Sequence, residues 1–263
     1  MRLDYGTQIS PAPITLSIGT LRKPTLKEIS ELTFDKFIYY EFLIKLTPET
    51  YYTELKDDDG KEYWNSLTGE QQDKISLYGL IEQDDKLRNT YVEILNFFFV
   101  EAVIFQEGYF ILLNQGVEIN DVLKASDIRG AMSREIFMQV LDLIQQICCI
   151  RGEEENLDEM KFKNNLARQL MEKMLKEKKQ EKKKSKLDKN MTIPNIISAL
   201  SNKHPSLNYT NIWDLTIFQL LDSFNRIQAN SVYEIDSTRV SVWGDEKKTF
   251  DASLWYKNEY DKK

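Results

Sequence analysis

The side chains in this chain that could do chemistry are few, and their spacing argues against most of the reactions open to them. The one histidine, His204, precedes Pro205 in a connection between two helical stretches. A zinc site needs further ligands, and neither a cysteine nor a paired carboxylate lies near His204 in sequence. As a general base it needs an orienting partner, which the surrounding residues do not supply. Capping its own loop is the expected role. Cys148 and Cys149 are adjacent, so they cannot form an ordinary disulfide framework. They fall at the C-terminal end of a predicted helix, where the helix dipole opposes a thiolate, so structural thiols are expected. Asp57-Asp58-Asp59-Gly60 could open a calcium loop, but position twelve is Thr68, where a bidentate glutamate is required. It reads as a solvated acidic turn. The 10 glycines build neither G-x-x-x-x-G-K-[ST] nor G-x-G-x-x-G, so no phosphate cradle is present. No catalytic residue, metal or cofactor is expected, and the chain is read as a non-enzymatic protein that works by contact.

Composition narrows the partners. Hydrophobic residues make up 41% and charged residues 29%, which places the chain among globular proteins with a sizeable core. The net charge of −7 is unevenly spread. Residues 1–156 carry 15 basic and 27 acidic side chains, whereas 157–190 carry 12 basic and 6 acidic. An acidic body repels phosphate, so nucleic acid is not expected as the main partner. The run from Lys173 to Lys189 lacks interleaved aromatics and contains Glu177 and Glu181, the pattern of a solvated helix passing into a linker. Its dense lysines predict a protease-accessible joint between Lys178 and Lys189. Met1 to Gly6 has no apolar core, so no secretory signal is expected there. The greasiest window, Ile94 to Leu113, is interrupted by Glu101 and Glu107, which argues against a membrane span.

These residues must be held by a mainly α fold: a helical N-terminal body with a small β-hairpin, a lysine-rich linker, and a C-terminal αα-hairpin with an extended tail. The expected divisions are an extended arm over 1–25, the body over 26–156, the basic helix and linker over 157–190, and the hairpin with its aromatic tail over 191–263. Within the arm, Ile14-Thr15-Leu16-Ser17-Ile18 alternates as one short strand. Thr25 and Glu28 have capping-box spacing, so a helix begins there. Helical patterning returns over 71–81 and 85–100. Val103-Ile104-Phe105 and Tyr109-Phe110-Ile111-Leu112 flank Glu107-Gly108 as a hairpin. The clearest helical stripe is Ile136, Phe137, Val140, Leu141, Ile144, Ile147 and Cys148. In the C-terminal part, a helix over 195–202 is followed by one from Asn211 to about Gln228. The second carries Trp213, Ile217, Leu220, Leu221, Phe224 and Ile227 on its apolar side. That surplus exceeds what the first helix can cover, so these six are the candidate partner-binding residues.

Stretches near both ends of the chain carry a resemblance. Pro13 to Ile29 (PITLSIGTLRKPTLKEI) resembles the start of proteins encoded in tail-gene modules of tailed bacteriophages and prophages of Gram-positive bacteria. Trp213 to Arg226 (WDLTIFQLLDSFNR), with Val242-Trp243-Gly244-Asp245 and Leu254-Trp255-Tyr256, is similar to the terminal helix of such proteins, among them tail assembly chaperones. The resemblance implies a helical assembly protein in the host cytoplasm that associates with phage tail proteins, the tape measure or tail tube, and with itself. The alternative is a structural virion protein whose terminal arms lock neighbouring subunits.

Overall fold

The computed structural model describes residues 2–117, 124–150, 190–246 and 248–257. The joint expected between Lys178 and Lys189 lies outside the described residues. The arm is more ordered than the extended reading. A short helix, α1 (Tyr5–Ile9), is capped by Asp4, whose carboxylate accepts from the Thr7 amide at 2.9 Å. Lys23 closes its other end: the buried ammonium donates to Thr7 O and, at 2.7 Å, to Ser10 O. Those carbonyls are the ones a helix C-terminus leaves unsatisfied, which is why the arm does not stay extended. The single expected strand is a pair, β1 (Ile14–Leu16) and β2 (Gly19–Leu21), antiparallel with Ile14 opposite Leu21.

The capping box appears as expected at α2 (Leu26–Leu32): Thr25 and Glu28 bond each other's backbone. Helix α3 (Phe34–Ile44) follows, then a short turn of helix, α4 (Pro48–Thr50), that widens into a π-turn over Tyr51–Leu55. The acidic turn at Asp57 is the start of α5 (Asp58–Ser66), with Asp57 as its N-cap. Three aspartates at a helix N-terminus complement its dipole, and Asp57 is spent on the cap. The helical segment expected over 71–81 is two helices, α6 (Gly69–Lys74) and α7 (Leu77–Gln83), because Ser76 caps the second afresh. Helix α8 (Asp85–Phe98) leads into β3 (Val103–Gln106) and β4 (Tyr109–Leu113). Glu107 (φ 51°) and Gly108 (φ 82°) make the two-residue left-handed turn that such hairpins favour. The greasy window from Ile94 is thus divided between a helix and a hairpin, and among the described residues no helix is long and apolar enough to cross a membrane.

A third strand, β5 (Ile128–Met132), joins β4 antiparallel and extends the expected hairpin to a sheet in the order β3-β4-β5. Helix α9 (Arg134–Ile147) starts from the Ser133 cap and buries Phe137, Val140, Leu141, Leu143, Ile144 and Ile147. Phe137 stacks on Phe110 at 5.1 Å, with Tyr78 and Tyr91 edge-on at 5.3 and 5.5 Å. This aromatic group ties the sheet to α7, α8 and α9. The C-terminal hairpin pairs α10 (Ile193–Lys203) with α11 (Ile217–Trp243). Helix α11 passes the end expected near Gln228 because no glycine or proline intervenes before Gly244, so the tail begins only there. The hairpin is not separate from the body: Leu26 N donates to Leu215 O at 2.8 Å, and one continuous apolar core runs from Leu3 to Leu220.

One half-buried carboxyl beside this core has a measurable signature. Glu41 on α3 lies close enough to raise the thiol of Cys148 on α9, and desolvation pushes its own carboxyl up to about 7 despite Lys45. A carboxyl raised in the fold lends its full stability below its unfolded value and loses it as pH climbs through the folded one. Glu41→Gln is therefore expected to match the parent near pH 4 and to exceed it at pH 8.5 by about 1–2 kcal/mol, after allowing for partial exposure. Urea titrations at the two pH values check this, and equal differences at both would contradict it.

Candidate partner-binding surface

The six residues singled out in the sequence do not form one surface. Ile217 and Leu220 are buried in the core, and Trp213, Leu221, Phe224 and Ile227 are half-buried against it. The first half of α11 is also fixed by the N-terminal arm. Tyr5 donates to Asp222 at 3.1 Å, Arg226 Nε donates to the same carboxylate at 3.1 Å, and Arg226 Nη2 donates to Tyr5 Oη at 2.9 Å. Gln219 Nε2 adds a bond to Ile9 O at 2.8 Å. The surplus apolar area of this half thus goes to the chain's own body.

The second half is different. At about 1.5 Å per residue, the 11 residues of α10 cannot span the 27 of α11. Helix α10 runs out where Lys203 Nζ donates to Ser231 Oγ at 2.8 Å. Beyond that point Val232, Ile235, Val242 and Trp243 are exposed, Trp243 by 78% and Ile235 by 70%. At about 100° per residue, Ile235 and Val242 lie in line with Ile217 and Phe224. One apolar stripe therefore starts in the core, becomes half-buried, and ends open.

The described tail does not cover it. Gly244 (φ 77°) ends α11, and Asp245 reverses the chain by accepting from the Thr249 and Phe250 amides at 3.0 and 2.9 Å. The returning segment sets Phe250 on Tyr233, with ring centroids 5.6 Å apart, and brings Leu254 and Trp255 over Asp222, Arg226 and Ala229. Those positions lie about 120–180° around the helix from Ile235. Sequence reading missed the open half because Gln228, Ser231 and Arg239 interrupt the stripe. The signal that could have found it is the absence of glycine and proline before Gly244, with Val232, Ile235 and Val242 returning at helical spacing beyond the interruption.

The other candidate chemistry resolves locally. His204 Nδ1 accepts from the Ser206 and Leu207 amides at 3.2 and 3.1 Å, which caps the loop. Cys148 is buried, and burial, with the charge of Glu41, drives its thiol well up and away from thiolate. Among the described residues, no group of three His, Cys, Asp or Glu side chains is placed to hold a metal.

Residues 178–260 match the model of the YomV second domain, a phage-associated family. The match takes in α10, α11 and the returning tail and covers under half of the chain. No curated protein and no solved structure matches the chain.

Proposed function

We propose that the chain is a non-catalytic phage protein that captures an apolar helical segment of a partner on the open half of α11, in the manner of a tail assembly chaperone acting on the tape-measure or another tail protein. The observation that supports this reading is the apolar stripe that leaves the core at Ile217 and ends uncovered at Val232, Ile235, Val242 and Trp243. The four stand at i, i+3, i+10 and i+11, so a helix laid along α11 meets apolar anchors at both ends of this half. Burying four large side chains of this kind contributes on the order of several kcal/mol before the costs of association. The acidic body keeps the molecule soluble while the face is open.

The arm-locking alternative, a structural virion protein, has less support, since the N-terminal arm and the described tail both pack on their own chain. Self-association through the same face is the competing use of the stripe. The test is co-expression with the tape-measure protein of the same phage. The double variant Ile235→Glu with Val242→Glu is expected to lose co-purification at least tenfold with an unchanged melting temperature, because both positions are exposed. Undiminished capture would remove the reading. Proteomics of purified virions separates the two roles, since a chaperone is absent from mature particles.

A further inference from the structure

A broad cleft of about 720 Å³ opens between the π-turn, α5 and the α7–α8 corner. It shares Tyr52, Tyr63, Leu80 and Gln83 with a second lobe of about 250 Å³. The π-turn shapes it: Lys56 N bonds Tyr51 O, five residues back, which swings the lysine over the tyrosine. Lys56 Nζ stands 5.1 Å from the Tyr51 ring centroid and 2.9 Å from Asp84 Oδ2. Tyr51 Oη donates to the same carboxylate at 2.7 Å, and the Lys86 and Leu87 amides donate to its other oxygen at the head of α8. Burial opposes the Asp84 charge, but the Tyr51 hydroxyl, the Leu87 amide and Lys56 together hold its carboxyl down at about 2. The molecule thus already binds an ammonium on a tyrosine face beside a carboxylate, and it does so with fixed groups.

Next to it, Tyr52 and Tyr63 form a second aromatic corner; among the described residues Lys56 lies near enough to act on Tyr52, and Lys74 lines the adjoining lobe. Tyr52 and Tyr63 stand with ring centroids 5.3 Å apart and planes inclined at 51°. Tyr52 is held by stacking on the buried Trp64 at 5.6 Å. Asp59 and Tyr63 are four residues apart on α5, so they share one face of that helix. Neither the two tyrosine hydroxyls nor Asp59 bonds to a described residue. Of the other charges lining the cleft, Asp57 caps α5 and Asp85 pairs with Arg88, while Lys86 is the second cation. The volume is enough for a short stretch of peptide and exceeds a single side chain.

We propose that the Tyr52–Tyr63–Asp59 corner binds a lysine or arginine side chain of a basic peptide segment, doing for a ligand what Tyr51 and Asp84 do for Lys56. This site lies on a different element from the α11 stripe and stands independently of it. The test is calorimetric titration of the full chain with penta-lysine, with penta-glutamate as control. Binding of penta-lysine alone is expected, weakened about fivefold by Tyr63→Leu and by Asp59→Asn. Both residues are exposed, so melting temperatures should not move. In high salt the overall affinity falls, yet the Tyr63→Leu ratio persists, because a ring contact is screened less than the acidic body. Equal affinity in both variants would show attraction to the diffuse charge and overturn the proposal. Spermidine binding as tightly as the peptide would reassign the corner to free polyamines and overturn it also. The Ile235→Glu, Val242→Glu chain should bind penta-lysine normally, so each proposal can fail without the other.

Discussion

Ile144→Asp is expected to unfold the body or leave it insoluble. Ile144 is fully buried in the last turn of α9, on the face that also buries Phe137, Val140 and Ile147. A carboxylate there meets only apolar neighbours, and its burial without a partner costs about 4 kcal/mol or more. That is a large share of the roughly 5–15 kcal/mol by which a domain is stable. Met138→Asp on the same helix is the control, since Met138 is 47% exposed and its substitution should cost no more than about 0.5 kcal/mol. Circular dichroism and a melting curve decide the matter. A soluble Ile144→Asp protein with an unchanged transition would show that this face is not the core.

Gly130→Ala should destabilise far more than a methyl group ordinarily does. Gly130 sits on β5, paired with Leu112, directly beneath the turn of the β1–β2 hairpin. A Cβ at Gly130 would lie 2.6 Å from Ile18 O and 2.7 Å from Ile18 Cα. Both are backbone atoms, so relief requires the whole hairpin to lift. Lifting it would strain Arg22 N to Phe98 O at 2.8 Å, Val100 N to Thr20 O at 3.0 Å, and the bond from Thr20 N to the buried Glu101 at 2.7 Å. The expected loss is about 3 kcal/mol, at the upper end for overpacking. Gly69→Ala provides the contrast: nothing lies within 4 Å of its Cβ, so it should be neutral or slightly stabilising. Chemical denaturation of the pair measures the difference, and similar midpoints would mean that the hairpin does not rest on Gly130.

Local signals in the sequence were sufficient where one rule governed the outcome. Thr25 with Glu28, the Glu107-Gly108 turn and the stripe of α9 each act within a few residues, and each appears where expected. Strand β5 was not legible, because Ile128-Arg129-Gly130-Ala131-Met132 lacks alternation and only its last residue is buried. Its pairing is decided by β4 and by the hairpin turn above Gly130, which are distant in sequence. The arm was misread for a similar reason: its helix is held by Lys23, thirteen residues beyond Ser10. The candidate surface was half visible. The apolar stripe of α11 was seen, but its buried and open halves depend on where α10 stops and how far α11 continues. The cleft at Tyr52 was not visible, since it requires the π-turn to bring Tyr51, Tyr52 and Lys56 around one corner.

The link between Tyr5 and Asp222, 217 positions apart, has a consequence in time. A chain emerging at about 5–20 residues per second separates the synthesis of these two residues by about 10–40 s. Throughout that interval Tyr5 and the Ile9 carbonyl await the partners that α11 supplies, and Thr25 and Leu26 await Thr216 and Leu215. The apolar half of α11 that stays open is therefore made after the half that captures the arm, and it is presented only as that capture takes place.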